Sequence, residues 1–275
     1  MSLKRIHLFG SGPRTGTTLL YELMSTCFEI DGLIEHEAHV SDNPRKKCNI
    51  FLTKHPSGFF AINTAMKFNK RLYGICIIRD PRDAIISYHG SLKQKYWASL
   101  RYWIEFLKAY KTLRDNTNIL FISYEDLVKS PDKTQNLLIK SFSFLNKKVN
   151  FSDFHNFTKP SSKSKLALKG VRKVAPKESE WMNHLPRIKQ QILIHGDISK
   201  SLIAFGYEKN DEWMTKLNDV EAIDYDSYWK EYFTKKDLFK RKLIGYNAIF
   251  KHFFYDMFGF DFKNFKQKLK RLCSK

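Results

Sequence analysis

A glycine-rich segment near the amino terminus has the composition of an anion-binding turn. It reads Gly10-Ser11-Gly12-Pro13-Arg14-Thr15-Gly16-Thr17-Thr18, follows a strand-like run and precedes a helical pattern. Glycines let backbone N–H groups point inward, and a helix amino terminus adds a positive dipole end, so such a turn binds phosphate. A nucleoside triphosphatase would carry G-x-x-x-x-G-K-[ST], but Ser11 replaces the first glycine and Thr17 the lysine. We infer a ligand without a γ-phosphate, contacted by Arg14 and the hydroxyls of Thr17 and Thr18.

A second group of polar residues follows another predicted strand. In the segment I-I-R-D-P-R-D-A-I-I-S, Arg79 ends the strand and Ser87 lies two turns into the next predicted helix. Ligands of open parallel sheets bind at the carboxyl ends of the strands, where an arginine fork can hold a phosphate and a serine can donate from the side. The alternative is an ion pair between Arg79 and Asp83 across the first helical turn. Together the two segments indicate a nucleotide with phosphates at two places.

The turn P-R-T-G-T-T-L and the later R-D-P-R-D-x-x-x-S resemble the two nucleotide motifs of sulfotransferases, which use 3′-phosphoadenosine 5′-phosphosulfate (PAPS). The resemblance continues through S-Y-E-D-L at 123–127 and covers residues 4–145 well. It implies that Arg79 and Ser87 hold the 3′-phosphate. It also implies that the 5′-phosphosulfate is held by the turn residues Gly12, Pro13, Arg14, Thr15, Gly16, Thr17 and Thr18.

The carboxyl-terminal half resembles the family less closely. G-V-R at 170–172, Trp181 and F-G-Y-E at 205–208 are similar to a family segment in which a loop closes over the nucleotide, so Lys169 and Arg172 are implied contacts of the 3′-phosphate. Arg14 stands where many members carry lysine. The R-K-G and G-D-W elements of the mammalian cytosolic branch are not recognisable. The resemblance is therefore closer to the bacterial and carbohydrate-directed branches.

Sulfuryl transfer to an alcohol needs a base for the acceptor proton and cations for the leaving oxygen. We predict Arg14 and Lys54 as the cations. His55, which like Lys54 follows a predicted strand, is one candidate base. Glu35 and His36 are the others, because flanking carboxylates raise the proton affinity of a histidine. The sequence leaves this choice open. It shows no clustered metal ligands, and the chemistry as predicted requires no metal.

These motifs need a parallel sheet to bring them together. The first 145 residues alternate short apolar runs with helical patterns, which predicts an α/β fold with a three-layer, P-loop-like sheet flanked by helices. The predicted strands are 5–9, 50–53, 72–78 and 119–122. The predicted helices are 17–28, 59–69, 81–91, 96–114, 131–145 and 186–205. Residues 150–176 are predicted to form a surface loop or lid.

The carboxyl-terminal part has a different character. We predict one α/β domain over 1–210 and a basic, aromatic helical extension over 211–275 packed on it. Residues 235–275 contain twelve Lys and Arg against three Asp. One predicted helix face carries Phe250, Phe253, Phe254, Met257 and Phe258. This face packs on the domain, or it belongs to a surface helix that docks on anionic lipid.

The composition sets the class of partner. The 275 residues include 48 Lys and Arg against 28 Asp and Glu, a net charge of +20, and 43% are hydrophobic. This composition excludes wholesale disorder and predicts anionic partners. The four cysteines Cys27, Cys48, Cys76 and Cys273 form no metal-ligand pattern, so we predict free thiols in a reducing compartment. No run approaches the roughly 18 apolar residues of a membrane span, and no signal peptide is apparent. The predicted location is the cytoplasm, with peripheral contact at the inner membrane face as an option.

Two other classes of protein share some of these features, an ATP-using P-loop enzyme and a nucleic-acid-binding protein. An ATP-using, kinase-like P-loop enzyme would need the missing Walker lysine and an acidic Mg²⁺-holding strand end. A nucleic-acid-binding protein is suggested only by the charge, because no motif interleaves aromatic and basic residues. Within the sulfotransferase prediction, the basic surface favours a carbohydrate or a glycolipid as the acceptor.

Overall fold

The computed structural model describes residues 2–35, 37–90, 92, 94–176 and 178–259. The strands are β1 Lys4–Gly10, β2 Gly32–Leu33, β3 Ile50–Lys54, β4 Leu72–Ile78 and β5 Ile119–Ser123. The α-helices up to residue 141 are α1 Thr17–Cys27, α2 Phe59–Met66, α3 Pro81–Ile85, α4 Arg101–Leu113, α5 Tyr124–Lys129 and α6 Pro131–Ser141. The later ones are α7 Phe154–Phe157, α8 Ser162–Ala167, α9 Leu185–His195, α10 Ser199–Ala204 and α11 Lys235–Phe258. Short 3-10 helices cover Phe151–Asp153, Trp181–His184 and Glu212–Leu217.

The five strands form one parallel sheet in the order β2-β3-β1-β4-β5. The central strand β1 pairs with β3 on one side and β4 on the other; Leu8, for example, lies opposite both Lys54 and Ile75. Since all strands run the same way, the turn after β1, Lys54 at the end of β3 and Arg79 just after β4 lie at the same edge. The predicted α/β class and its four main strands are confirmed.

Helices cover both faces of the sheet, because successive side chains of a buried strand point to opposite faces. On β1, Leu8 belongs to the apolar cluster that includes α1 and α6, whereas Phe9 belongs to the one that includes α2 and α4. On β4, Ile75 belongs to the cluster with α1 and α6, and Cys76 belongs to the cluster with α2 and α4. Both clusters are buried, and the sheet therefore holds its carboxyl edge rigidly between two packed layers.

Several predicted helix bounds are wrong. The helix predicted over 81–91 ends at Ile85, because the following residues pair across a loop: Tyr88 forms an antiparallel bridge with Tyr96, and the Trp97 N–H donates to the Ser87 carbonyl at 2.8 Å. The predicted helix 96–114 accordingly begins only at residue 101. The predicted helix 186–205 is two helices, separated where Gly196 adopts a φ of 87°.

The predicted loop over 150–176 is partly core. Phe151 and Phe154 are buried against α1 and α6, whereas the stretch from α8 onward is mainly exposed, with Ser164 as its buried residue. The two phenylalanines of this otherwise polar segment thus pack in the helical layer formed by α1 and α6, and this part of the segment is not a lid. A lid role for the exposed part stays a prediction.

Helix α11 packs on α2, but not through the predicted aromatic face. The residues facing the domain are Gly245, Ala248, His252 and Tyr255, whereas Phe253 and Met257 are more than half exposed. Small residues occupy the contact because the backbones approach closely: a Cβ on Gly245 would lie 2.5 Å from the Ala61 carbonyl oxygen. The division of the chain at residue 210 stays a prediction, and Cys273 lies outside the described residues.

Candidate active site

The turn between β1 and α1 contains two backbone conformations that side chains rarely adopt. Gly16, the N-cap of α1, has a φ of 98°, and Arg14 has a φ of 65°. A Cβ on Gly16 would lie 2.6 Å from Cδ2 of Tyr124, so only glycine leaves room for that ring. The Thr15 hydroxyl donates to the Gly12 carbonyl at 2.9 Å and closes the turn from inside. The first N–H groups of α1 have no intrahelical acceptor and are suited to an anion.

The second motif contacts this turn directly. Arg14 Nε donates to Ser87 Oγ at 2.9 Å, and Arg79 Nη1 donates to the Arg14 carbonyl at 3.1 Å. The Arg79 guanidinium also lies 4.5 Å from the centre of the Tyr124 ring. The ion pair between Arg79 and Asp83 is present at 4.0 Å, so it accompanies the contact with the turn and does not replace it.

Two guanidinium groups therefore lie close together in a partly buried space. Burial, and then the charge of Arg79, lower the pKa of Arg14. Within the described ranges Arg14 forms no ion pair, and Nε of Arg79 is buried without a hydrogen-bond partner. A ligand with two anionic groups would compensate both charges and supply the missing acceptor.

Lys54 reaches the turn from the neighbouring strand. Its side chain is buried, and Nζ donates to Thr18 Oγ1 at 2.8 Å. Burial lowers the pKa of Lys54, although the charges of Glu37 and Glu22 oppose the shift. A buried ammonium beside the turn is a fixed positive charge for an anion bound there.

His55 lies next to Lys54 in a small polar cluster. His39 stacks on its ring at 4.7 Å between centroids, and Ser57 contacts Nδ1 at 3.3 Å with both its backbone N–H and its hydroxyl. From α11, Arg241 Nη1 donates to the Ser57 hydroxyl oxygen at 3.3 Å. Burial, and then the charges of His39 and Arg241, lower the pKa of His55 to about 4. The imidazole is therefore neutral near pH 7.

One open cavity of about 1310 Å³ connects these groups. The predicted site residues on its wall are Pro13, Arg14, Gly16, Thr17, Thr18, His55, Arg79, Ser87, Lys169 and Arg172. Gly12 and Thr15 lie behind the turn, and Lys54 approaches the cavity through Thr18. The structure thus brings together the turn, the second motif, the segment after α8 and one candidate base.

Glu35, another of the three candidate bases, does not join this arrangement. Glu35 is exposed and does not line the cavity, whereas Glu37 does. His36 lies outside the described residues. Of the three alternatives that the sequence left open, His55 is the one that the described structure places in the cavity.

Several cavity residues were not predicted from the sequence. His39, Lys240 and Arg241 line the end near His55, and Tyr88, Trp97 and Trp229 form an aromatic rim. Apart from Tyr88, which directly follows Ser87, they come from loops and from α11, away from the motifs along the chain. Tyr124, which also lines the cavity, had a local signal because it opens the Y-E-D-L segment.

The part of the chain that the structure describes contains neither a metal-binding cluster nor a membrane-spanning helix. No group of three or more His, Cys, Asp or Glu side chains is placed to hold a metal ion. No helix combines the length and apolarity needed to cross a bilayer. Cys27, Cys48 and Cys76 are free thiols.

A parallel sheet with an anion-binding turn between its first strand and first helix defines a P-loop-like, phosphate-binding class of protein. The family model described as "Sulfotransferase domain" matches residues 8–191. The chain belongs to the sulfotransferase family, whose activity is sulfuryl transfer, as its motifs predicted.

Similar solved structures include mouse sulfotransferase SULT7A1 complexed with PAP, at 14% identity and a TM-score of 0.42, covering 78% of this chain and 84% of that one. The sulfotransferase domain from the curacin biosynthetic pathway is 12% identical with a TM-score of 0.35, covering 68% of this chain and 98% of that one. Both similarities are too weak to transfer a residue assignment. The comparison with curated proteins gives no match.

Proposed function

We propose that this enzyme transfers the sulfuryl group of PAPS to a hydroxyl of a carbohydrate or glycolipid. The observation that supports this most directly is the pair Arg14 and Arg79, two adjacent cations in a cavity whose other end contains the neutral His55. PAPS has two separate anionic groups, and the cavity offers a cation near each of two anion-binding segments. The kinase-like alternative has no lysine at position 17 to support it.

In this proposal the turn binds the 5′-phosphosulfate through Arg14, Thr17, Thr18 and the backbone from Gly12 to Gly16. Arg79 and Ser87 bind the 3′-phosphate. Lys169 and Arg172, which line the same cavity from the segment after α8, close on it from the opposite side. Hydrogen bonds join Arg14 to Ser87 and Arg79 to Arg14, so in this proposal a change at one phosphate site should also displace residues of the other.

His55 is the proposed base. Its lowered pKa keeps the ring neutral, which a proton acceptor requires. The backbone N–H of Ser57 donates to Nδ1 at 3.3 Å, so the resting proton of the neutral ring lies on Nε2 and Nδ1 is the nitrogen that accepts a proton. The acceptor oxygen then bonds to sulfur, its proton passes to His55, and the bond from sulfur to the phosphate oxygen breaks. Lys54 and Arg14 stabilise the negative charge that develops on that oxygen.

The carbohydrate part of the proposal is supported by the aromatic rim. Tyr88 and Trp229 are nearly half exposed at the cavity wall, and Trp97 lies beside them. Exposed aromatic faces with polar edges contact sugars through their C–H groups and hydroxyls together. A small apolar acceptor would instead favour an enclosed apolar pocket.

Location and membrane contact also belong to the proposal. Three free thiols favour a reducing compartment, the cytoplasm.

The exposed Phe253 and Met257, with the basic residues of α11, are suited to an anionic bilayer surface. We expect the enzyme to co-sediment with vesicles containing phosphatidylserine but not with phosphatidylcholine alone. The double variant Phe253→Ser, Met257→Ser should no longer co-sediment with these vesicles. Leu193→Ser changes another exposed apolar residue and should co-sediment like the wild type.

Calorimetric titration with 3′-phosphoadenosine 5′-phosphate (PAP), beside ADP with magnesium, tests the nucleotide assignment. We expect PAP to bind without metal, and Arg79→Ala to weaken it by about 10-fold or more, since a hydrogen bond to a charged group contributes about 1.5–3 kcal/mol. Arg114→Ala, which changes an exposed arginine outside the cavity, should bind PAP like the wild type. Equal binding of ADP with magnesium, or an unaffected Arg79→Ala, would refute the assignment and favour the kinase-like alternative.

A further inference from the structure

We propose that Arg241 and Lys240 form an anion-binding subsite for the acceptor, so that the hydroxyl sulfated here belongs to a molecule with a carboxylate, sulfate or phosphate close to that hydroxyl. This inference rests on the proposed function, because it names the substrate class of the same cavity. It concerns residues of α11, which lie beyond the 8–191 match to the family model.

The first support is the position of Arg241 relative to His55. Arg241 Nη1 donates to Ser57 Oγ at 3.3 Å, and Ser57 Oγ lies 3.3 Å from His55 Nδ1. The guanidinium is thus two hydrogen-bond lengths from the proposed base. An anion held by Arg241 and a hydroxyl held by His55 would be separated by about the width of one sugar ring or one lipid headgroup.

The second support is that Arg241 is held in place without an ion pair among the described residues, although the charge of Asp237, which lines the same cavity, interacts with it. Its guanidinium lies 4.9 Å from the Phe60 ring centre and 4.7 Å from that of Phe233, which fixes its plane. Ser57 accepts the one hydrogen bond that Arg241 donates within the described residues, although a guanidinium has five N–H groups. The nearest acidic neighbour on the helix, Asp237, is engaged by the Thr234 hydroxyl and backbone N–H at 2.7 and 3.0 Å.

The third support is that the cavity contains two groups of cations. Arg14 and Arg79 contact each other at the turn, where they serve the nucleotide, whereas Arg241 contacts Ser57 beside His55 and Lys240 lines the same cavity. PAPS alone would not require the second group. A guanidinium with its plane fixed and its edge free is suited to bind a carboxylate or a phosphate by two hydrogen bonds.

The test measures acceptor binding to the PAP-saturated enzyme by calorimetry. The probes are a polymer of alternating glucuronate and N-acetylglucosamine, its carboxyl-reduced neutral form, and glycerophosphoinositol. The two anionic probes distinguish a uronic acid from a phosphorylated headgroup. We expect at least one of them to bind, and the neutral polymer to bind at least about 10-fold more weakly than its carboxylate form if the uronic acid is the ligand.

The variants separate a specific subsite from general attraction to a basic surface. Arg241→Gln should weaken binding of the anionic probe at least about 10-fold, and Arg241→Lys should weaken it less. The matched change Arg114→Gln should leave binding of the probe unchanged. All three should keep the wild-type affinity for PAP. The inference is overturned if no anionic probe binds the wild type, or if Arg241→Gln binds it as well as the wild type does. Loss of PAP binding in the wild type itself would instead refute the proposed function.

Discussion

The substitution Gly16→Ala tests whether the geometry of the turn creates the nucleotide site. Gly16 has a φ of 98°, where a side chain costs about 1–2 kcal/mol of backbone strain. The new Cβ would also lie 2.6 Å from Cδ2 of Tyr124, well inside the ordinary contact distance of 3.4–4 Å. Displacing a packed ring costs about 1–3 kcal/mol more. We therefore expect the free energy of unfolding to fall by about 2–5 kcal/mol.

Gly206→Ala provides the matched control. Gly206 has a φ of 76°, but a Cβ there would have no heavy atom within 4 Å, and the residue does not line the cavity. The free energy of unfolding of Gly206→Ala should therefore fall only by the cost of backbone strain, about 1–2 kcal/mol. Urea denaturation followed by circular dichroism gives both free energies, with the slope against denaturant checked for constancy.

The same pair of variants separates stability from binding. The Tyr124 ring that Gly16→Ala would displace is the ring against which Arg79 stacks, so both phosphate sites should be disturbed. We expect PAP to bind about 10-fold or more weakly to folded Gly16→Ala, and with wild-type affinity to Gly206→Ala. Equal unfolding free energies for the two variants, or wild-type PAP affinity in folded Gly16→Ala, would refute the reasoning.

Three further predictions concern buried charges. Lys54→Met should reduce sulfate transfer from labelled PAPS at least about 100-fold, while the thermal midpoint does not fall, because the variant no longer buries an ammonium. Burial lowers the pKa of His55 most and the charge of His39 next, so His39→Asn should raise this pKa above about 4 by the smaller, electrostatic part and move the acid limb of the kcat/KM profile to higher pH; an unmoved limb would mean that His55 is not the titrating base. Burial would raise the pKa of Glu231, but hydrogen bonds from His195 and Ser227 bring it from 4.5 to about 2. Since the folded-state value is the lower one, this carboxylate stabilises the fold above pH 4.5 by about 3 kcal/mol and loses that effect as the pH falls toward 2. Glu231→Gln should therefore show a flatter loss of stability over that interval in urea titrations, and an identical slope would contradict the assignment.

The sheet and the positions of the two segments proposed to bind the nucleotide were predictable because their signals are local. Strands buried on both faces are continuous apolar runs, and the glycine-rich turn is defined by nine consecutive residues. The same holds for Arg79, which must lie at the carboxyl edge of the sheet because it follows a parallel strand directly. Local signals failed where the chain forms bridges outside the sheet, as at Tyr96, which pairs with Tyr88 just after α3 and with the distant Ser227.

The residues around His55 were not predictable for a related reason. His39 and Arg241 are brought to it by a loop and by a helix nearly 190 residues away, and no spacing rule connects them. The choice among Glu35, His36 and His55 likewise needed the positions of the side chains in space. The sequence placed only His55 directly after a predicted strand, and the folded loop shows that Glu35 is exposed and outside the cavity.

Helix α11 shows why an apolar pattern can indicate the wrong packing face. Its aromatic residues have the regular spacing of a buried stripe, yet the contact with α2 uses Gly245 and Ala248, because only small residues allow the two backbones to approach. His252 then fixes the helix by contacting the Val40 carbonyl at 2.9 Å and the Asn69 amide at 3.0 Å. This close docking is what brings Arg241, one turn before Gly245, within reach of Ser57. A segment outside the family match thereby lines the cavity beside His55. If Arg241 binds the acceptor as proposed, acceptor choice depends on a helix that the nucleotide motifs do not specify.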